Sequence, residues 1–340
     1  MHVSLPRAGL RHILVVALGL DAASLAAGDA QGASNPVRRF VTVDSGVEVE
    51  TLDFGGGGRP VLFLPGKGVV ADSRNVAEFA RALRATYHVY SMTRRGFPPS
   101  SVPRTGYDSD RLADDVLAVM DSLGLRRPVL IGHSMAGGEL SSIGSRFPSK
   151  VAGLVYLDAG YRYALYDTII GDFQIEKNEA YRHMSRLLFA PPRDQKLLVA
   201  QLLDADLPAL TKRLRERRES LNVGRRAPPT SGGAPMAERL PFSLDRALIA
   251  GRQRYTHIDA PTLAIYASPH RVPRNLGTDS LSVALWQASE ADVEPQIKAF
   301  ERQVPQARVV RLPNADHFVY TSNEDDVLRE LRAFVATLPP

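Results

Sequence analysis

A serine in the run GHSMAG, residues 132–137, is placed where it could act as a nucleophile. Apolar residues 129–131 before it predict a buried strand, and the spacing of apolar residues after it predicts a helix over 135–147. A sharp strand-to-helix turn lifts a serine hydroxyl above a sheet and crowds the residues two before and two after it. Gly132 and Ala136 are small enough for that turn, so the pattern predicts Ser134 as the nucleophile.

A histidine near the carboxyl end of the chain is the best candidate for the base. His317 follows a predicted strand, residues 308–312, and precedes a predicted last helix, residues 324–336. A serine hydroxyl needs a base whose pKa is near neutrality, and histidine is the side chain suited to this. We therefore predict that His317 accepts the proton of the nucleophile.

A turn upstream could stabilise the negative oxygen that develops during acyl transfer. The residues Pro65-Gly66-Lys67-Gly68 directly follow the apolar run 61–64, and glycine lets a backbone approach a substrate closely. Preorganised backbone N–H groups stabilise such an oxyanion by a few kcal/mol each. We predict the N–H groups of Lys67 and Met135 as the oxyanion hole.

Strands and helices alternate along the chain, which predicts an α/β fold with a mostly parallel eight-stranded sheet flanked by helices. A stretch at residues 160–258 interrupts the alternation and has a helical composition, so we predict a helical lid inserted over the site. The predicted strands are residues 40–43, 47–52, 61–64, 88–92, 129–131, 151–157, 262–266 and 308–312. The predicted helices outside the insertion are residues 72–84, 111–123, 135–147, 293–302 and 324–336.

Together these motifs resemble those of the α/β-hydrolase-fold serine hydrolases, and the resemblance covers about residues 37–338. Besides the serine turn and the histidine loop, it includes the Arg-Gly turn at 93–97 and the segments 111–115 and 153–159. The resemblance implies one hydrolase domain over residues 37–340 and the chain order Ser, then His, of that fold. Glu139 is predicted to pair with an arginine of the 93–97 turn.

The acid member of the implied triad departs from the family pattern. In many relatives it lies after the strand that follows the lid, where this chain has Ala267-Ser268-Pro269-His270. His270 thus stands where a carboxylate is expected. Two alternatives remain: Asp158, at the end of the preceding strand, which we favour, and Asp279, on an unusually long loop.

Composition excludes several other classes of function. The chain has 42 Lys and Arg against 37 Asp and Glu, and no dense basic cluster with interleaved aromatic residues, so nucleic-acid binding is not supported. The absence of cysteine excludes disulfides, thiolate catalysis and cysteine-based zinc sites. Because no metal cluster, P-loop or dinucleotide fingerprint is present, we predict no metal and no cofactor.

The first thirty residues have the features of a secretory signal peptide. Arg7 and Arg11 precede an apolar stretch at 13–20, and small residues continue to Ala30. We therefore expect residues 1–30 to be a signal peptide and the protein to be exported, periplasmic or secreted. The apolar stretch is too short to span a bilayer, so no stable membrane insertion is predicted.

These observations predict a serine hydrolase that cleaves a carboxylic ester, or an amide, through an acyl-enzyme on Ser134. Aromatic residues near the start of the insertion predict a small-molecule, moderately apolar, ester-like substrate; they are Tyr161, Tyr163, Tyr166, Phe173 and Tyr181. Two alternatives stay open: acyl transfer to an acceptor other than water, including peroxide, and a non-catalytic binding protein that kept the fold. The unusual His270 favours the latter, and oligomeric state has no signal in the sequence.

Overall fold

The computed structural model describes residues 35–339 except 162, 170, 223–242, 274–282, 284–285 and 288–289. The predicted signal peptide at residues 1–30 lies outside the described residues and stays a prediction, as does export. Asp279, the alternative acid, also lies outside them.

Within the described residues, one sheet contains eight strands: β1 Val37–Asp44, β2 Val47–Gly55, β3 Pro60–Leu64, β4 His88–Met92, β5 Val129–His133, β6 Gly153–Leu157, β7 Thr262–Ala267 and β8 Arg308–Leu312. Their order across the sheet is β1-β2-β4-β3-β5-β6-β7-β8. Strand β2 pairs antiparallel with β1 and with β4, and every other pairing is parallel, which confirms the predicted fold class.

Helices cover both faces of the sheet. The helices outside the insertion are α1 Arg74–Leu83, α2 Ser109–Ser122, α3 Gly137–Arg146, α8 Val293–Gln303, the short α9 Val319–Ser322 and α10 Glu324–Ala336. Helices α2, α3 and α8 pack on one face, and α1 and α10 pack on the other. Because successive strand residues point to opposite faces, Leu130 joins the first core while its neighbours Val129 and Ile131 join the second.

The insertion between β6 and β7 is helical, as predicted, in its described part. It contains α4 Phe173–Leu187, α5 Pro192–Gln201, α6 Leu207–Asn222 and α7 Leu244–Ala250, with one π-helical turn between α5 and α6. Asp172 caps α4 by accepting hydrogen bonds from the N–H groups of Gln174 and Ile175, which explains where that helix begins. The role of the insertion as a lid stays a prediction.

Among the described residues, no helix combines the length and the apolar character that crossing a bilayer requires.

Candidate active site

Ser134 occupies a strained turn between β5 and α3. Its φ is +53°, a left-handed conformation that costs a non-glycine residue about 1–3 kcal/mol. A Cβ placed on Gly132 would lie 3.1 Å from the Cβ of Ala136, so the two positions must be small, as predicted. The predicted helix at 135–147 differs in its first turn, because this crowded bend forms a short 3₁₀ turn before α3 begins at Gly137.

The structure brings Ser134, His317 and Asp158 into one hydrogen-bonded chain. The Ser134 hydroxyl donates to Nε2 of His317 over 2.9 Å, and Nδ1 of His317 donates to Oδ2 of Asp158 over 2.6 Å. The ionised carboxylate can only accept, which fixes the imidazole in the tautomer that leaves Nε2 free as a base. The three side chains come from the carboxyl ends of β5, β6 and β8, where parallel sheets bind ligands. Their catalytic roles stay predictions.

Asp158 is fully buried and accepts hydrogen bonds from four groups. Its Oδ1 accepts from the N–H of Ala267 at 3.0 Å and from the hydroxyl of Tyr161 at 2.6 Å. Its Oδ2 accepts from His317 and also from Nε2 of His270, at 2.9 Å. Burial raises the pKa of Asp158, but the hydrogen bonds from the two histidines outweigh burial and lower the pKa to about 2. The carboxylate is therefore ionised over the whole physiological range.

His270 and Glu290 extend this chain on the far side of Asp158. The backbone N–H of His270 donates to Oε2 of Glu290 at 3.0 Å, and Nδ1 of the ring lies 3.0 Å from Oε1. That ring contact is an ion-pair distance without the alignment of a hydrogen bond. The sequence identified His270 only as a departure from the family pattern. No sequence pattern predicts a role for Glu290. Tyr161 is predicted as a pocket residue, and its hydrogen bond to Asp158 has no signal in the sequence.

Three of these residues have the composition of a metal site: Asp158, His270 and His317. Their polar atoms are separated by 2.6 and 2.9 Å and share Oδ2 as the acceptor. Ligands at about 2.0–2.2 Å around a tetrahedral Zn²⁺ lie farther apart than that, at about 3.4 Å. The geometry is that of a hydrogen-bonded chain.

The predicted oxyanion residues lie beside Ser134. Lys67 and Met135 line one cavity of about 210 Å³, and Met135 is the second residue of the 3₁₀ turn Ser134–Ala136, where the first N–H groups have no partner within the helix. A Cβ on Gly66 would lie 3.1 Å from the Cβ of Ser134, so the turn can approach the nucleophile only with glycine there. The oxyanion role of the two N–H groups stays a prediction.

Glu139 pairs with Arg94, which is an arginine of the 93–97 turn, as predicted. The two side chains are buried and doubly hydrogen-bonded, with one contact of 2.9 Å between Nη2 and Oε2. Nη2 of Arg94 also donates to the carbonyl of Pro65 at 3.1 Å. This pair therefore fixes the turn before Lys67 against the start of α3, which is a structural role.

His133 connects the strand before the nucleophile with the loop that carries the base. Its Nε2 donates to the backbone carbonyl of His317 at 3.0 Å, and its ring packs against Phe318 and Tyr320. Burial, followed by the nearby His317, lowers the pKa of His133 to about 4. The ring is therefore neutral at the pH at which a histidine base works.

The cavity of about 210 Å³ reaches from Met135, the residue after Ser134, to the insertion. Its walls are largely apolar, and they include Leu112, Met135, Tyr163, Leu248 and Ile249. The base itself lines a second, wider cleft, together with Tyr161, His270, Trp286, Glu290 and Phe318 among others. The insertion thus contributes to the described surroundings of the nucleophile.

Three of the five aromatic residues predicted for the pocket line neither of these two cavities: Tyr166, Phe173 and Tyr181. Phe173 is 43% exposed and Tyr181 is 68% exposed, and neither lines a described cavity beside Ser134. Helix α4 turns other residues inward, such as Ile175 and Ala180, which are fully buried. Tyr166 is buried against Glu176, to which its hydroxyl donates at 2.7 Å.

Comparison with known proteins places the chain in one family. The model of the alpha/beta hydrolase family matches residues 61–330. A bifunctional esterase/perhydrolase of Acinetobacter calcoaceticus is 33% identical over 121 residues, which is 35% of this chain and 44% of that protein. A non-heme haloperoxidase of Rhodococcus erythropolis is 35% identical over 121 residues, 35% of this chain and 43% of that protein. The chain thus matches less than half the length of either relative.

A solved structure extends the likeness over most of the fold. An esterase from Rhodococcus sp. ECU1013 superposes with a TM-score of 0.52 at 18% identity, covering 89% of this chain and 99% of that one. At this identity the likeness concerns the fold alone. The sheet order, the strained serine turn and the match over residues 61–330 agree, and the chain belongs to the alpha/beta hydrolase family.

Proposed function

We propose that this hydrolase cleaves carboxylic esters through an acyl-enzyme formed on Ser134. One observation carries the proposal: the unbroken hydrogen-bonded chain from Ser134 through His317 to the ionised Asp158. A neutral histidine within 2.9 Å of a serine hydroxyl can take its proton as that oxygen attacks a carbonyl.

The reaction proceeds in two halves. The Ser134 oxygen attacks the ester carbonyl while His317 takes the proton, and the N–H groups of Lys67 and Met135 stabilise the oxyanion. Asp158 stabilises the imidazolium, which then protonates the leaving alcohol. Water, activated by the same histidine, attacks the acyl-enzyme, releases the carboxylic acid and restores the serine.

The cavity beside Ser134 supports an acyl group of modest size. Its volume of about 210 Å³ is below the range of about 300–1,000 Å³ that holds a drug-sized ligand. The apolar part of its wall favours an aliphatic or aromatic chain, and each charged side chain of the wall is paired; these are Lys67 with Asp245, Glu139 with Arg94, and Arg252 with Asp172. The proposed substrate is therefore a small, moderately apolar ester.

A second candidate activity is favoured by the similarity to a protein named as an esterase/perhydrolase. Hydrogen peroxide in place of water would attack the same acyl-enzyme, giving a peracid and free Ser134. This reaction needs the same three residues and no additional group in the site. The two activities differ only in which acceptor reaches the acyl carbonyl.

The test uses p-nitrophenyl esters of increasing chain length with the purified chain. We expect hydrolysis of the shorter esters, with a decrease of at least about a thousandfold in Ser134→Ala. Ser45→Ala, in the exposed β1–β2 turn, is the matched control and should equal the wild type. Added hydrogen peroxide then separates the two activities through the yield of peracid. Folded wild-type protein that hydrolyses none of these esters and forms no peracid would support the non-catalytic alternative instead.

A further inference from the structure

The acid of this triad has one more histidine than the reaction requires. Oδ2 of Asp158 accepts from Nδ1 of His317 at 2.6 Å and from Nε2 of His270 at 2.9 Å. The two ring nitrogens lie within 4.8 Å of each other. A proton gained by one imidazole is therefore close enough to disfavour a proton on the other.

Glu290 provides a second carboxylate for His270. It accepts from the backbone N–H of His270 and places Oε1 3.0 Å from Nδ1 of the ring. The imidazole of His270 thus lies between two carboxylates, each within 3.0 Å of a different ring nitrogen. Both contacts favour the doubly protonated, positively charged ring.

Opposing effects act on the charge of His270. Burial lowers the pKa of His270, but the hydrogen bond and charge of Asp158 and the charge of Glu290 raise it above its ordinary value. These contacts together favour the charged form of the His270 ring over the neutral form.

We propose that His270 is a positioning residue that keeps His317 in its neutral, basic form at lower pH. The inference rests on the proposed function, because His317 must be neutral to accept the proton of Ser134. The charge on His270 repels a proton on His317, while its hydrogen bond holds the Asp158 carboxylate in place. The histidine that replaces a carboxylate at position 270 would thus keep the enzyme active to lower pH.

Other groups around the two histidines do not supply this charge. His270 faces Asp158, Tyr161, Glu290 and His317, and the neighbouring Arg271 pairs with Asp316 at 3.4 Å. Tyr161 stays neutral, because burial and Asp158 raise its pKa far above the ordinary value.

His317 faces Ser134, Asp158, His133 and His270. His133 stays neutral above about pH 4, because burial lowers its pKa to that value. Among these described neighbours, His270 is the cation whose removal changes the field at His317.

The test is a histidine NMR titration of the whole chain. In His270→Gln, whose amide can still donate to Asp158, we expect the pKa of His317 to rise by about one unit, since a nearby like charge has been removed. His257→Gln is the matched control, because His257 is exposed and, among the described residues, its ring forms a hydrogen bond only with the neighbouring Thr256. An unchanged pKa of His317 in folded His270→Gln would overturn the proposal.

A second variant keeps the test decisive if His270→Gln fails to fold. Glu290→Gln removes one of the two carboxylates, so the pKa of His270 should fall. An unchanged pKa of His270 would show that Glu290 does not favour the charged form of the His270 ring. That result would overturn the claim that the two carboxylates together keep His270 positively charged.

The kinetic readout separates this inference from the proposed function. With a short p-nitrophenyl ester, the acid limb of kcat/KM should move to higher pH by about one unit in His270→Gln, in step with the NMR shift. Loss of rate at all pH values with no shift of the limb indicates a structural role and contradicts the inference. Absence of hydrolysis in the wild type contradicts the proposed function, and the NMR titration still decides the electrostatic claim.

Discussion

The carboxyl edge of the sheet and the helical insertion differ in how their side chains are placed. At the edge, three non-glycine residues have a positive φ. Ser134, directly after β5, has a φ of +53°, and Asp158, directly after β6, has a φ of +47°. Asn314, two residues after β8, has a φ of +58°. The insertion instead exposes large apolar side chains, such as Leu188 at 77% and Phe189 at 89%. The edge is set by tight backbone turns that place the reacting groups.

The insertion contributes side chains to a cavity through helix packing. On the proposed function, chemistry belongs to the edge of the sheet and substrate choice to the insertion. Substitutions at the edge should change the rate for every ester alike, whereas substitutions in the insertion should change which ester is preferred.

The largest expected effect is at Asp158. Asp158→Asn leaves the shape of the side chain but removes the charge that sets the tautomer of His317, so kcat should fall by about 10³- to 10⁴-fold. Asp194→Asn, on α5 in the insertion, is the matched control and should change kcat by less than about threefold, because Asp194 is exposed and lies 3.5 Å from the exposed Arg193. Similar rates for the two variants would remove the distinction between the regions.

A second prediction concerns the stability of the edge as the pH falls. The buried His133 has a folded pKa of about 4, below the unfolded value of about 6.5, so its contribution is complete above pH 6.5. That contribution is lost progressively as the pH falls toward 4. Urea unfolding measures the free energy of unfolding at pH 7 and at pH 4. Between these two pH values, that free energy should decrease by about 3 kcal/mol more in the wild type than in His133→Gln. Equal losses in the two proteins would show that His133 titrates normally.

Substrate preference should respond to the insertion. Leu248 on α7 lines the cavity beside Ser134, so Leu248→Trp should lower kcat/KM for longer acyl chains about tenfold more than for acetate. Leu197→Trp, on the exposed face of α5, provides the control with the same added bulk. A uniform decrease over all chain lengths would assign Leu248 to the positioning of the catalytic residues.

The smallest effect is expected where the two regions meet. Lys67→Ala keeps the backbone N–H that we propose for the oxyanion and removes a half-exposed side chain at the rim of the cavity together with its exposed pair with Asp245. We expect kcat to stay within about threefold and stability to change by less than about 1 kcal/mol. A loss of kcat by about a hundredfold would mean that the ammonium group itself contacts the substrate.

Local patterns predict the sheet, Ser134 and His317, because apolar runs mark the buried strands that precede them. These patterns leave the acid open between Asp158 and Asp279, and it is the family resemblance that favours Asp158. Glu290 lacked such a signal, since its contact with His270 depends on how two distant segments fold together. The sequence also did not indicate which face of α4 is buried. Phe173 and Tyr181 are aromatic like the residues of a pocket, but both lie on the exposed face of that helix.

The most direct test of the central claim is covalent trapping of the nucleophile with a fluorophosphonate, followed by peptide mass spectrometry. The account predicts one adduct per chain, on the peptide that contains Ser134, absent in Ser134→Ala and formed much more slowly in His317→Gln. A folded wild-type chain that forms no adduct, or forms it on another serine, would contradict the account.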